Sequence, residues 1–525
     1  MTPPGSGVRM VLLCALALLS GCTTLRDDLR PPRPSQAIAC DTPGLLKDLA
    51  YRDEDGRSGF VLLEEGLDAL SARLWMTDHA QHTLDVQVYI FHGDKTGALL
   101  AGALLRAAQR GVRVRVLLDD IYSEHNETEL IALDSHPKIE VRLFNPFRYR
   151  GGNLLTRAYE YVAGSGRVNR RMHNKLYIAD NQMGIAGGRN IGDEYFEANQ
   201  GLAFLDLDVL ASGPVVQDMS KSFDAYWNSS EVVRARALPR YREARQQLPV
   251  LTERLAALRL DLFQTDYGRS LALRQVGERL ARGELAWLPG RASLIADPPE
   301  KIEGKSPLSQ LMVGQLAGLR LDPRQDLLLV SPYFIPGRLG SDWLAYWRAH
   351  GVEVRVLTNS LAATDVPLVH AGYARYRVDL LKAGVRLYEL KPVENGPPKT
   401  HIDASSGASR ASLHAKTFVF DRRHVFVGSF NFDPRSALLN TELGVVIDSP
   451  DIAGRVIALA EDAMEPSRSH RVELKPVQPG AKPQLIWFSR NPDGELVSTD
   501  TEPNSTRWQR FLLELFLNLP IEQDL

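Results

Sequence analysis

The sequence contains the pattern His-x-Lys-x-x-x-x-Asp twice, at His173-Lys175-Asp180 and at His414-Lys416-Asp421. A glycine-rich turn that ends in asparagine follows each copy at the same offset. Two copies in matching context indicate two half-sites of one active site, because a chance repeat would not preserve the surrounding residues. The paired imidazole and ammonium groups point to an enzyme of phosphodiester chemistry.

The chain before each motif is also repeated. Residues 111–117 read Gly-Val-Arg-Val-Arg-Val-Leu and residues 351–357 read Gly-Val-Glu-Val-Arg-Val-Leu, an offset of 240 residues, against 241 between the two histidines. Each copy reads as strand, helix and strand, with helices expected near residues 97–110 and 341–350. This alternation predicts an α/β fold made of two duplicated halves, each a mostly parallel sheet covered by helices.

The composition is that of a large globular protein. The 525 residues are 44% hydrophobic and 24% charged, which is enough for two domain-sized cores. The formal net charge of −2 gives no overall basic field, so we expect no nucleic acid partner.

The N-terminus predicts export and lipid anchoring. The apolar run from Val11 to Leu19 is too short to span a bilayer but suits the core of a signal peptide. The following Ser20-Gly21-Cys22 resembles a bacterial lipobox, so we expect lipidation at Cys22; the alternative is simple cleavage beside an incidental cysteine. We therefore expect a lipid-anchored cell-envelope protein that faces the periplasm, and Thr23 favours the outer membrane. The mature chain would keep only Cys22 and Cys40, too few for a cysteine-based metal site, with Cys22 taken by lipid.

The predicted domains follow from these features. They are a signal peptide (1–21), a tether (22–45), an N-terminal half (46–235), a helical insertion (236–290), a C-terminal half (291–465) and a C-terminal extension (466–525).

The motif residues suggest a mechanism. Residues i and i+2 of a strand project from one face, so each histidine should point the same way as the lysine two positions later. One unprotonated imidazole would attack the phosphodiester, and the other would protonate the leaving alcohol and then deprotonate the incoming one. The two lysines, with the side chains of Asn190 and Asn431, would hold the non-bridging oxygens. No metal or other cofactor is required, because the protein supplies the cations.

The remaining carboxylates of the predicted site have supporting parts. Asp180 and Asp421 complete the catalytic motif, but their odd offset of seven from the histidines places them on the opposite face of a strand, where they would fix the turn beyond it. A histidine nucleophile needs a carboxylate on its other ring nitrogen. Alignment places Asp206 opposite Glu442, and we expect Asp206 to hold His173 and Glu442 to hold His414. Asp208 is an alternative in the first half, and surface carboxylates at strand ends are the alternative for the pair.

The sequence resembles the phospholipase D superfamily over about residues 58–460. The second motif continues as Gly428-Ser429-Phe430-Asn431 and reaches Asn440-Thr441-Glu442, which match the superfamily's Gly-Ser-x-Asn and Asn-x-Glu elements. Ser429 is therefore a further phosphate-binding candidate, whereas the first copy has Gly188 at the matching position. The resemblance implies two phospholipase D-like αβα-sandwich halves packed around one shared active site, with His173 as nucleophile and His414 as acid and base.

Several segments resemble bacterial cardiolipin synthases, especially the type C branch. They include Asp94-Lys95-Thr96-Gly97, residues 331–336 and residues 519–522. The resemblance implies transphosphatidylation, in which a phosphatidyl group passes through a phosphohistidine from phosphatidylglycerol or phosphatidylethanolamine to the headgroup of phosphatidylglycerol. The expected partners are phospholipids and the membrane surface, and the protein is expected to be a monomer.

Two other functions stay open on the sequence. The same site would act as a phospholipase, or as another phosphodiesterase including a nuclease, if water reached the phosphohistidine in place of an alcohol. A non-catalytic envelope lipoprotein is the third reading, although both His-Lys pairs are intact. An apolar stripe at Phe511, Leu515 and Leu519 would lie on a membrane or pack against the domain.

Overall fold

The computed structural model describes residues 23–24, 33–38, 43–150, 166–199, 203–392, 411–476, 478 and 481–517. The predicted signal peptide, Cys22, Cys40 and residues 518–525 lie outside the described residues. Within the described ranges, no helix combines the length and the apolar composition that crossing a membrane requires.

The strands fall into two groups separated by a helical region. The first group contains β1 (Thr23–Thr24), β2 (Ser58–Leu63), β3 (Thr83–Val88), β4 (Arg113–Asp119), β5 (Ile139–Phe144), β6 (Tyr149–Arg150), β7 (Leu176–Ala179), β8 (Met183–Gly187), β9 (Ala203–Leu205), β10 (Asp208–Ser212) and β11 (Val232–Arg234). The second group contains β12 (Leu288–Ala296), β13 (Asp326–Val330), β14 (Glu353–Asn359), β15 (Arg386–Leu390), β16 (Ala411–Leu413), β17 (Thr417–Phe420), β18 (His424–Gly428), β19 (Leu443–Asp448), β20 (Ser469–Lys475), β21 (Gln484–Arg490) and β22 (Leu496–Thr499).

The helices cover the sheets and fill the region between the groups. They are α1 (Leu45–Asp48), α2 (Gly66–His79), α3 (Lys95–Gln109), α4 (Glu127–Asp134), α5 (Pro214–Trp227), α6 (Tyr241–Ala244), α7 (Leu248–Gln264), α8 (Asp266–Arg274), α9 (Val276–Ala281), α10 (Met312–Gly318), α11 (Gly337–Ala349), α12 (Pro367–Ala374), α13 (Arg377–Lys382), α14 (Pro434–Leu438), α15 (Pro450–Met464) and α16 (Arg507–Leu517). The two helices expected in the repeats are α3 and α11, each within about one turn of its predicted bounds. Helix α3 begins after Asp94, whose carboxylate accepts a hydrogen bond from the Gly97 N–H at 3.0 Å.

Each half has a mixed sheet, so the expectation of a mostly parallel sheet was wrong. In the first sheet the order is β11-β5-β4-β3-β7-β8-β10-β2, and in the second it is β19-β18-β17-β13-β14-β15-β20-β21-β22. Only the pairs within β3-β4-β5 and within β13-β14-β15 are parallel among these described pairings. The helix crossovers before each motif give parallel neighbours, whereas the hairpins after it give antiparallel ones.

One strand joins the two sheets. The first part of β12, Leu288–Gly290, pairs with β2, and its second part, Arg291–Ala296, pairs with β19. The predicted boundary between residues 290 and 291 therefore falls inside a continuous strand. The residues beyond 465 also continue the second half, because β20 pairs with β15 and carries β21 and β22.

The apolar core is shared across the two halves. Side chains of the first sheet, including Leu176 and Val209, and of the second, including Val419 and Leu443, form one buried cluster beside α5 and α15. The helices between the groups cover the first half, with α7 packed on α3 and with α8 and α9 packed on α2. The halves are thus held in a fixed relation, which a site built from both of them requires.

Candidate active site

Each His-Lys pair lies in a three-residue segment that interrupts the strand structure. Residues 173–175 precede β7, and residues 414–416 lie between β16 and β17. The histidine and lysine therefore stand just before the sheet strand, and not on it as the alternation argument assumed. In both copies the residues before this segment pair with the other half, and the residues after it form a strand in the sheet of their own half.

The contacts with the other half are short parallel pairings. The His173 N–H donates to the Thr441 carbonyl at 2.9 Å, and the Thr441 N–H donates to the Arg171 carbonyl at 2.9 Å. In the second copy β16 pairs in parallel with β9, and the His414 N–H donates to the Leu205 carbonyl at 2.8 Å. Each partner segment ends immediately before a carboxylate, Glu442 or Asp206.

Because of these pairings, the histidine of each half lies against a carboxylate of the other half. Nδ1 of His173 lies 2.9 Å and 3.1 Å from the two carboxylate oxygens of Glu442, and Nδ1 of His414 lies 2.6 Å from Oδ2 of Asp206. The structure brings together the four residues predicted for these pairs, but it contradicts the predicted pairing of Asp206 with His173 and of Glu442 with His414. The alignment compared positions within one half, whereas the parallel pairings bring the carboxylate from the opposite half.

Asp208, the alternative to Asp206, contacts no histidine in the structure. Its carboxylate forms an ion pair with Arg73 at 2.8 Å and accepts a hydrogen bond from the Arg189 N–H at 3.2 Å. The side chain of Arg189 in turn donates to the carbonyl of Asp206 at 2.6 Å. Asp208 thus supports the loop that carries the orienting carboxylate.

The two lysines meet at the centre of the site. Nζ of Lys175 donates to the carbonyl of His173 at 2.6 Å, and Nζ of Lys416 donates in the same way to the carbonyl of His414. Burial lowers the pKa of Lys175 to about 7 and that of Lys416 to about 8, although Glu442 and Asp206 act against it. An ammonium has three N–H donors and the carbonyl takes one, so each lysine can also donate to an anion.

Burial favours the neutral form of both imidazoles. Burial, with the positive charges of Lys175 and Lys416, places the pKa of His173 well below its ordinary value. Burial and Lys416 lower the pKa of His414 to about 4, although the charge of Asp206 favours its protonation. With Nδ1 turned to the carboxylate, Nε2 is the ring nitrogen presented to a substrate.

The two orienting carboxylates differ in charge state. Burial raises the pKa of Glu442 to about 7. Burial also acts to raise the pKa of Asp206, but His414, Lys416 and Arg189 outweigh it and hold this pKa well below the usual range. Asp206 is therefore ionised at neutral pH, whereas Glu442 is poised between its two forms.

Ser429 serves Glu442 and not a phosphate. Its hydroxyl donates to Oε2 of Glu442, and its Oγ accepts from the Leu443 N–H at 3.0 Å. The prediction that Ser429 binds phosphate was wrong, because the strand pairing between β18 and β19 points the hydroxyl at the carboxylate. At the matching position in the first half, a Cβ on Gly188 would lie 2.7 Å from Oδ2 of Asp206, so that carboxylate fills the space of a side chain.

The two asparagines of the turns have different surroundings. The amide of Asn190 donates to the hydroxyl of Tyr195 at 2.9 Å and accepts from the Ile90 N–H at 3.2 Å, which leaves one side-chain N–H for another acceptor. Asn431 is buried, and its side-chain oxygen has no hydrogen-bond partner. Both asparagines remain candidates, since phosphate binding would use a side-chain N–H of either one.

Asp180 and Asp421 lie at the far ends of the motif strands, outside the group of catalytic side chains. The carboxylate of Asp180 accepts from the N–H groups of residues 81–83 at 2.7 to 2.8 Å. That of Asp421 accepts from residues 324–326 at 2.7 to 3.1 Å. Both sit in turns with positive φ and fix the start of the neighbouring strand β3 or β13, in agreement with the supporting role expected of them.

Aromatic rings that the sequence reasoning did not select enclose the imidazoles. Tyr89 lies edge-on to His173 with 5.1 Å between ring centroids, while Tyr195 and Phe204 contact His414 at 5.3 Å and 5.0 Å. The available signal was a further repeated segment: residues 86–90 read Val-Gln-Val-Tyr-Ile and residues 330–334 read Val-Ser-Pro-Tyr-Phe, which sets Tyr89 opposite Tyr333. Within the described residues, no cluster of histidine, cysteine, aspartate and glutamate could hold a metal ion.

Comparison with known proteins agrees with this geometry. The family described as cardiolipin synthase, PLD-like domain, matches residues 75–227 and 322–463, with one motif in each segment. The chain belongs to this family. Cardiolipin synthase C of Escherichia coli is 41% identical over 471 residues, which cover 89% of this chain and 96% of that protein.

Further relatives of the cardiolipin synthase family extend the comparison. An uncharacterized protein of Helicobacter pylori is 34% identical over 502 residues, covering 94% of this chain and 95% of that one. The crystal structure of phosphatidylserine synthase from Haemophilus influenzae has the same fold, with a TM-score of 0.52 at 13% identity over 78% of this chain and 87% of that chain. The predicted fold of two phospholipase D-like halves, and the prediction of an enzyme of this phosphatidyltransferase type, are confirmed.

Proposed function

We propose that the protein makes cardiolipin by transferring a phosphatidyl group onto phosphatidylglycerol through a phosphohistidine. The observation that carries this proposal is the buried group of two imidazoles, each held at Nδ1 by a carboxylate of the opposite half, beside two lysines. The similarity to a cardiolipin synthase over 96% of that relative supports the choice of lipid substrates.

In the first displacement, Nε2 of His173 attacks the phosphorus of the donor lipid and forms a P–N bond. The bond from phosphorus to the headgroup oxygen breaks, and His414, which enters this step as the imidazolium stabilised by Asp206, gives that oxygen the proton on its Nε2 and becomes neutral. In the second displacement, His414 takes a proton from a headgroup hydroxyl of phosphatidylglycerol. The hydroxyl oxygen then attacks phosphorus, the P–N bond breaks and His173 returns to its neutral form.

The different surroundings of the two imidazoles support this assignment of roles. The acid must hold a proton, and the ionised Asp206, 2.6 Å from Nδ1, stabilises a cation on His414. A nucleophile must be unprotonated, and burial and the charges of Lys175 and Lys416 hold the pKa of His173 well below its ordinary value, while Glu442 accepts the hydrogen bond of its Nδ1–H.

The two lysines and Asn431 would bind the non-bridging oxygens. Negative charge concentrates on these oxygens as the phosphorus becomes five-coordinate, and fixed cations in a buried site stabilise it without reorganisation. The side-chain oxygen of Asn431, which lacks a partner, would accept from a donor on the substrate while its N–H group donates to phosphate.

We also propose that the protein works at a membrane of the bacterial envelope, facing the periplasm and anchored by lipid on Cys22. The outer membrane is favoured on the sequence. Helix α16 packs Leu513 against Leu361 and Ala371, while Trp508 and Phe511 on its other side are 61% and 53% exposed. Exposed aromatic side chains of this kind bind at the boundary between headgroups and acyl chains.

Product analysis tests the reaction. Purified protein is incubated with vesicles of phosphatidylglycerol, with and without phosphatidylethanolamine, and the lipid products are resolved by mass spectrometry. Cardiolipin supports transfer, whereas phosphatidic acid alone would show that water is the acceptor and that the enzyme is a hydrolase. A covalent phosphoryl intermediate that persists in His173→Ala would refute the choice of nucleophile, and a Cys22→Ala protein that stays fully membrane-bound would refute lipid anchoring.

A further inference from the structure

Two buried side chains lie at matching places behind the histidines. Asp119 ends β4 and Asn359 ends β14, and both are 2% exposed. The offset between them is the 240 residues that relates the two repeats. Neither residue belongs to a motif that points to phosphodiester chemistry, and a pair of carboxylates at a strand end, Asp119 with Asp120, would ordinarily be interpreted as a cap.

Asn359 binds the backbone of the residue before His414. Its side-chain oxygen accepts from the Leu413 N–H at 2.9 Å, and its side-chain N–H group donates to the Leu413 carbonyl at 3.0 Å. The amide thereby pairs with Leu413 as a neighbouring strand would. Both of its hydrogen-bonding groups are used on this single residue.

Asp119 binds the backbone of the residue before His173. Its Oδ2 accepts from the Met172 N–H at 2.8 Å, and its Oδ1 accepts from the Ile121 N–H at 2.9 Å. The second of these bonds caps its own turn, as the sequence suggests. The first bond reaches 53 residues along the chain to the segment that carries the nucleophile.

The two edges of each catalytic segment are therefore held separately. Successive residues of an extended chain turn their N–H and C=O groups to opposite edges. On one edge, His414 and His173 bond to the opposite half through Leu205 and Thr441. On the other edge, Leu413 bonds to Asn359 and Met172 bonds to Asp119, each within its own half.

We propose that Asn359 and Asp119 are positioning residues that fix His414 and His173, respectively, against both halves of the site. The inference rests on the proposed double displacement and assigns Asn359 to proton transfer and Asp119 to nucleophilic attack. Neither side chain touches the substrate. Each acts through the backbone that sets where Nε2 of its histidine stands.

A leaving-group comparison separates these roles. Phosphatidyl-p-nitrophenol releases an anion that needs no proton, whereas phosphatidylglycerol releases an alkoxide that does. We expect Asn359→Ala to slow turnover of phosphatidylglycerol by about 100-fold, the cost of misplacing a catalytic group by about 1 Å, with KM little changed. The burst of p-nitrophenolate should stay close to that of the wild type, because His173 still forms the P–N bond.

The Asp119 variants should behave differently. Asp119→Ala should reduce the p-nitrophenolate burst and phosphatidylglycerol turnover together, since it displaces the nucleophile. Asp119→Asn should recover most of the burst, because an amide oxygen can still accept from Met172. Asp134→Ala is the matched control: this carboxylate is equally buried and accepts from the Val141 N–H at 2.8 Å, in a helix remote from the histidines. Its loss should lower stability and leave the ratio of the two rates unchanged.

Equal slowing of both substrates by Asn359→Ala, or a profile like that of Asp134→Ala, would overturn the positioning role. If the wild-type enzyme produces phosphatidic acid and no cardiolipin, the proposed function fails but the leaving-group ratio still decides the positioning role. Inversion of configuration at phosphorus in the wild-type reaction would show a single displacement and refute this inference with it.

Discussion

A double-mutant cycle between Asp206 and His414 tests the crossed pairing. Nδ1 of His414 and Oδ2 of Asp206 are 2.6 Å apart, and both side chains are at least nine-tenths buried. A hydrogen bond to an ionised group contributes about 1.5–3 kcal/mol. The pair should therefore show a coupling of about 2 kcal/mol when the free energies of unfolding of Asp206→Ala, His414→Ala and the double variant are compared.

The assay is a urea titration followed by tryptophan fluorescence, with all four proteins measured under one set of conditions. The control cycle combines Asp206→Ala with His173→Ala, the pair that matching positions within one half would predict. Its coupling should be about 0.5 kcal/mol or less, the usual departure from additivity for residues without a shared contact. A larger coupling for Asp206 with His173 than with His414 would refute the crossed arrangement.

Three other predictions concern the lysines, the glycine turn and the distal aspartates. Raising the pH through the pKa values of about 7 for Lys175 and about 8 for Lys416 removes the positive charge that binds phosphate, so kcat/KM should fall over this range; a profile that stays flat across both values would contradict it. Gly188→Ala places a Cβ against the carboxylate of Asp206 and should lower kcat by about 100-fold in steady-state assays of cardiolipin formation, while an unchanged kcat would show that the carboxylate can move freely. Asp421→Ala removes the acceptor for three backbone N–H groups and should reduce the free energy of unfolding by about 2–3 kcal/mol in a urea titration with kcat unchanged; a lower kcat in the folded protein would return this residue to the catalytic group.

The sequence was sufficient for the parts of the site that local spacing determines. The repeat offset fixed the two halves, and the His-x-Lys spacing placed His173 with Lys175 and His414 with Lys416. Asp180 lies outside the group of catalytic side chains, but the offset argument assumed a strand through His173 that the structure does not have. The His-x-Lys prediction depended on residues only two positions apart, where backbone geometry leaves few choices.

The sequence was insufficient where distant segments meet. Whether Glu442 lies beside His173 or His414 depends on the parallel contact between Thr441 and residues 171–173, which are about 270 positions apart. Strand periodicity carries no information about such a partner. The same limit explains Ser429, whose spacing suits a phosphate ligand but whose neighbour across the sheet is the carboxylate of Glu442.

The crossed pairing also explains why His173 and His414 have different surroundings, although both motifs read His-x-Lys. Each imidazole takes its carboxylate from the other half, so the chemistry of a histidine depends on the segment opposite it. Asp206 is kept ionised by Lys416, Arg189 and His414 itself, and it faces Gly188, which carries no hydroxyl. Glu442 is buried with a raised pKa and accepts the Ser429 hydroxyl. The ionised Asp206 favours a protonated His414, which acid catalysis needs. For His173, burial and the two lysines favour the neutral ring, which nucleophilic attack needs. The division of labour between His414 and His173 therefore follows from unequal partners acting on equal motifs.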